Sequence, residues 1–230
     1  MEAFALFRIL HIVAGFIAFI LFWIPLVTKK GGRVHNKVGW VYVFAMALVS
    51  FSAFYMGIYR VLFDETADAT RVSFSWFLIF ISILSGATCW YGIRVLRYKK
   101  RKERHRSGVD LFVSSLLLIS GIAIAWYGYL IGTPLLTYFP LLGVFLGSLQ
   151  LYYWLRKPVK NMHWLYEHLS GMIACSISTV TAFTVFGAPR LLNISSSSLF
   201  LWFLPTMVLV PVLIFFTIKY EKKYNKYSYQ

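Results

Sequence analysis

A chain of 230 residues that is 59% apolar, 19% aromatic and only 13% charged would expose far too much hydrocarbon as a water-soluble domain. Its formal charge of +15 comes from 23 Lys and Arg against 8 Asp and Glu. These cations sit in short clusters between long apolar runs, which argues against the basic face of a nucleic-acid binder and for connections held beside anionic lipid headgroups.

Crossing the ~30 Å hydrocarbon core takes roughly 20 helical residues. Seven stretches reach that length, at about 4–27, 40–63, 72–95, 110–132, 134–155, 163–187 and 198–219. They predict an all-α polytopic transmembrane bundle of seven helices, a single domain over 1–230. The runs are continuously apolar rather than alternating, which favours helices over a β-barrel.

The first stretch carries one cation, Arg8, and reaches Pro25 with no small-x-small cleavage pattern, so it reads as a retained helix and not a signal peptide. Within it His11, Ala14, Gly15 and Ala18 share a face, which points His11 into the bundle. The next loop holds Lys29, Lys30, Arg33, His35 and Lys37. After helix two comes an acidic segment with Asp64, Glu65 and Asp68, and after helix three a dense run from Arg94 to Arg106. With Arg156, Lys157 and Lys160 before helix six and Lys219, Lys222, Lys223 and Lys226 in the tail, 19 of the 23 cations fall on one side. The positive-inside rule then puts the N-terminus outside and, after seven crossings, the C-terminus in the cytoplasm. Tryptophans at 23, 40, 90, 154 and 164 near one set of helix ends, and at 76, 126 and 202 toward the other, give the same register.

Gly132-Thr133-Pro134 is long enough only for a tight turn, so helices four and five should form an antiparallel hairpin. Gly143 and Gly147 form a small-x-x-x-small ridge for close approach to a neighbour. Cys89 and Cys175 lie inside apolar runs, so no disulfide framework is indicated. Pro205 and Pro211 are expected to kink helix seven. Asn193-Ile194-Ser195 matches a glycosylation acceptor, without other signs of a eukaryotic secretory setting. Basic clusters followed by a histidine recur at His35, His105 and His163; unequal spacing favours ordinary flanking of cytoplasmic helix starts over an internal repeat.

Ionisable groups inside a bilayer are costly and therefore functional candidates. Asp110 opens helix four, and His163, Glu167 and His168 open helix six. His163 and Glu167 are four residues apart on one face, at about the level of His35. A divalent metal such as zinc held by His35, His163, Glu167 and His168 is one expectation. The other is that Glu167 pairs with a nearby cation while the histidines bond carbonyls. A second stripe, His168, Met172, Cys175, Ser178 and Thr179, either lines a cavity or packs helix against helix. Haem b held by His11 and His168, or by His168 and Met172, is the corresponding cofactor reading, although His11 and His168 fall roughly 10 Å apart in depth.

Three stretches taken together, His11-Ile12-Val13-Ala14-Gly15, Lys30-Gly31-Gly32-Arg33-Val34-His35 with Gly39, and Trp164-Leu165-Tyr166-Glu167-His168 followed by Thr181-Ala182-Phe183 and Trp202-Phe203-Leu204-Pro205-Thr206, resemble a family of predicted bacterial membrane proteins known only as a domain of unknown function. The resemblance spans most of the chain and implies a bacterial inner membrane; it supplies no reaction. Family members often have His-Arg in the first loop where this chain has His35-Asn36, which speaks against a role needing a cation there. Three function classes remain. The first is a small-molecule, lipid or haem binding or transport protein built around His11 and the helix-six stripe; the second is a metal-dependent membrane enzyme at the His/Glu cluster; the third is an accessory subunit or homo-oligomer docking through its lipid-facing helices.

Overall fold

The structure, a computed structural model, describes residues 2–193 and 199–225; Ile194 and Ser195 of the glycosylation triplet and Lys226 of the tail lie outside them. Helix is the regular structure of the described residues, joined by short turns and loops, with no strand among them. Seven helical segments are long and apolar enough to cross a membrane: α1 Glu2–Val27, α2 Arg33–Leu62, α3 Ala69–Tyr98, α4 Gly108–Leu130, α5 Pro134–Leu155, α6 His163–Leu192 and α7 Phe200–Tyr224. Large apolar side chains stand exposed on α2, α4, α5 and α7, among them Phe51, Phe112, Ile119, Phe145 and Phe215, each 60% exposed or more. So large an exposed apolar surface is compatible with a membrane setting.

Several helices outrun the apolar stretches that announce them. α2 starts at Arg33 rather than 40, and α7 runs on to Tyr224 rather than 219. Hydropathy marks only the part that wants hydrocarbon, whereas backbone hydrogen bonding carries a helix onward into a polar layer. Local chemistry fixes other ends. Asp68 caps α3 by accepting from the Arg71 N–H at 2.7 Å, and Pro134 opens α5, where its missing N–H costs nothing. α6 changes to π-helix over Phe183–Gly187.

α3 is the hub. It packs against α2, α4 and α6, while α1 lies on α2, α5 on α4 and α7 on α6. The expected α4–α5 hairpin is present: Gly132 adopts φ +66°, a left-handed conformation suited to glycine, and the Thr133 N–H bonds the Gly128 carbonyl at 2.9 Å. A Cβ at Gly143 would sit 2.7 Å from the Phe80 ring, and one at Gly147 2.8 Å from the Leu118 nitrogen, so this ridge does let α5 approach its neighbours. Phe77, Phe80, Leu117, Phe139 and Trp202 fill the core between α3, α4, α5 and α7. α3 and α6 also approach closely, since a Cβ at Gly171 would meet the Gly92 Cα at 2.7 Å.

Candidate functional site

The end of the bundle carrying the lysine-rich loops holds most of the residues singled out from sequence, and the structure separates them. On α6, His163 Nδ1 lies 2.8 Å from the Tyr153 hydroxyl, and Glu167 accepts a 2.5 Å bond from the Tyr91 hydroxyl. Tyr91 and Tyr153 pack edge to face at 5.9 Å, so the His163/Glu167 face closes into an aromatic network between α3, α5 and α6. Glu167 has no ion pair among the described residues; its partner is a tyrosine, not the Lys or Arg expected from sequence. His168 points elsewhere. Its Nδ1 bonds the Gly92 carbonyl at 2.7 Å, a contact that the Gly92–Gly171 approach permits, and its ring lies 6.3 Å from that of His35. His35 Nδ1 is taken up by the Pro25 carbonyl at 3.1 Å. No group of three or more His, Cys, Asp or Glu side chains is gathered at metal-binding spacing among the described residues. The four proposed metal ligands therefore fall into two pairs, because the 140° turn between His163 and His168 aims them at different neighbours.

The most heavily bonded carboxylate is one that sequence did not place in a site. Asp110 is buried and accepts from Arg94 Nε at 2.6 Å and Nη2 at 2.8 Å, from the Trp90 indole at 3.1 Å, and faces His105 Nε2 at 2.7 Å. His105 stacks on Trp154 at 4.2 Å, and Arg101 donates to the carbonyls of Tyr153 and Arg156 at 2.9 and 2.8 Å. With its lone pairs occupied, Asp110 works as an anchor that pins the 99–107 loop onto α3, α4 and α5. Its isolation at the head of an apolar helix was the available signal.

Two cavities lie along the α1–α2–α6 seam. The smaller, about 110 Å³, is at the basic end and is lined by Lys30, His35, Asn36, Tyr42, His168 and Met172 among others. Lys30 donates to the carbonyls of Pro25 and Leu26 at 2.6 and 2.9 Å and lies 4.6 Å above the Phe216 ring. Burial, helped by the nearby Lys219 charge, lowers its pKa to about 8.

The larger cavity, about 440 Å³, occupies the opposite half of the bundle. Its wall is mainly apolar, with Phe4, Phe16, Met56, Phe74, Phe186 and Trp202, and its polar points include Arg8, His11, Ser50, Arg60, Thr179 and Arg190 beside further Ser and Thr hydroxyls. His11 Nδ1 sits between the Val49 carbonyl at 3.1 Å and the Ser52 hydroxyl at 3.0 Å, which tethers α1 to α2. The Ser50 hydroxyl is buried with no hydrogen-bond partner among the described residues. Comparison with family models, curated proteins and solved structures yields no match.

A partition divides the two spaces. The Tyr42 hydroxyl meets Thr179 Oγ1 at 3.0 Å and donates to Cys175 Sγ at 3.4 Å, and Thr179 reaches Met46 Sδ at 3.2 Å. The polar stripe read on α6 is thus cut in three. His168 and Met172 face the small cavity, Cys175 is fully buried in the partition, and Ser178 and Thr179 face the large cavity. His11 and His168, the axial pair of the bis-histidine haem reading, line different cavities, in keeping with their difference in depth. Sequence gave no hint of the π-turn, whose Phe183, Phe186 and Gly187 form part of the large cavity's wall; such turns recur at functional sites.

Proposed function

We propose that this chain is a multi-pass protein of a bacterial inner membrane, with its N-terminus outside and C-terminus in the cytoplasm, that binds or conducts a small molecule or lipid within the bundle. The large cavity beside His11 carries this reading. Its volume falls within the roughly 300–1,000 Å³ of small-molecule sites, and its apolar wall with a few convergent polar groups has their character. The position of 19 cations at one end supports the orientation, and the anionic headgroups of the inner leaflet are the partners those loops meet. The smaller cavity beyond the Tyr42–Thr179 partition gives the seam a second compartment, which favours passage as well as binding. The resemblance to an uncharacterised bacterial membrane family fits the same location.

The test is solvent extraction of the purified chain from lipid nanodiscs, followed by mass spectrometry and an absorption spectrum. A defined compound at about one per chain supports the reading. A Soret band would make that compound haem, with His11 as the side chain placed to hold it. Extraction of bulk lipid alone, in the proportions of the surrounding bilayer, refutes a bound ligand.

A further inference from the structure

Among the described residues only four cations, Arg8, Arg60, Arg71 and Arg190, lie at the end opposite the lysine-rich loops, and every one is arginine. Arg71 has an acidic partner, Asp68, 3.8 Å away. The other three all line the large cavity, although they come from α1, from the last turn of α2 and from the end of α6. None of the three has an ion pair among the described residues, and no Asp or Glu contributes to that wall. Arg60 lies 5.2 Å over the Phe4 ring, one helical turn from Arg8, which brings two of the guanidiniums to one stretch of the rim.

Three guanidiniums from three separate helices line one apolar cavity with no carboxylate in ion-pair contact among the described residues, Arg60 sensing only the charge of the exposed Asp64, and they make a complementary site for an anion attached to a hydrocarbon. Arginine's planar fork matches phosphate oxygens in pairs, a geometry lysine lacks. The wall is not sealed toward the apolar coat of the bundle: Ile12 is 44% exposed, Phe16 38% and Leu191 64%. A chain can enter sideways there.

Building on the cavity reading above, we propose that the ligand is a single-chain amphiphile with a phosphate-type head, the head held by Arg8, Arg60 and Arg190 and the hydrocarbon laid along the aromatic wall toward Phe186 and Trp202.

The test uses the full chain in phosphatidylcholine nanodiscs with dodecyl phosphate carrying a diazirine at its far end, and dodecanol carrying the same group as the uncharged probe. Crosslinked peptides are mapped by mass spectrometry. The phosphate probe is expected to label residues of the cavity wall about tenfold more than the alcohol. The Arg8→Gln/Arg60→Gln/Arg190→Gln variant is expected to bring labelling down to the alcohol's level, and Arg71→Gln to leave it unchanged. Should the triple variant misfold, salt dependence of the unaltered chain serves instead, since raising salt should weaken labelling by the phosphate and not by the alcohol. Equal labelling of the cavity by both probes overturns the anionic head while leaving a binding cavity. Labelling of the cavity by neither overturns the cavity reading as well. Loss of labelling on adding equimolar inorganic phosphate makes the free anion the ligand, and stronger competition by dodecanoate than by unlabelled dodecyl phosphate makes the head a carboxylate; either result overturns the proposal.

Discussion

Replacing Gly15 with leucine should block the large cavity without harming the fold. Six residues of α1 line that cavity, at positions 4, 8, 11, 12, 15 and 16. At 100° per residue they span an arc of about 140°, with Gly15 within about 30° of its centre. A Cβ built there meets no atom within 4 Å, so a side chain projects into the empty space. Removing a glycine from a helix interior adds roughly 0.8 kcal/mol of helix propensity. No overpacking opposes that gain, and because lipid already solvates apolar groups, little hydrophobic gain accompanies it. Unfolding in mixed micelles titrated with dodecyl sulfate is therefore expected to show unchanged stability or a rise of up to about 1 kcal/mol. Photolabelling of the cavity by the dodecyl phosphate probe should drop at least about tenfold, the equivalent of about 1.4 kcal/mol in binding. Gly15→Ala, which adds one methyl group, should label nearly as well as the unaltered chain. A leucine variant that labels normally would show that the ligand does not occupy this space; one that loses 2 kcal/mol or more would show that the space is already filled by packing.

Two further outcomes concern the basic end. Asp110→Ala strands Arg94 and His105 around a buried gap, and losing one partner of a buried ion pair costs about 3–5 kcal/mol; with 14% of the Arg94 side chain exposed the lower figure is expected, in the same unfolding assay, with cavity labelling retained, and a cost under about 1 kcal/mol would remove Asp110 as the anchor of the 99–107 loop. Lys30, with its pKa lowered from 10.5 to about 8, carries its full charge-burial cost below pH 8. Between pH 8 and 10.5 the unfolded chain holds that proton longer than the folded one, so the stability contributed by this site rises with pH across that window. Competitive acetylation should show Lys30 reacting with a midpoint near pH 8; a midpoint near 10.5 would mean that it is freely solvated.

Much of this architecture follows from the chain as written. Seven apolar runs of spanning length, a glycine-proline turn between the fourth and fifth and a glycine ridge on the fifth are local features, each set by the need to satisfy backbone groups within one segment. The same holds for the segregation of lysines to one end, which follows from which connections between the apolar runs carry them. His11 facing inward was legible for that reason too: small residues at helical spacing mark a packed face whatever the partner.

What the residues touch was decided by the tertiary structure. His163, Glu167 and His168 look like one cluster in sequence, yet a single extra residue rotates His168 away to Gly92 and His35, while Tyr91 and Tyr153, from α3 and α5, take the other two. Arg94, His105 and Asp110 are spread over 17 positions of the chain and converge only because α3 and α4 pack side by side. Three arginines scattered from 8 to 190 come to line one cavity only because α1, α2 and α6 leave space between them. Helices are fixed by hydrogen bonds four residues apart, whereas a site is fixed by contacts between helices, and those have no period for a sequence to display.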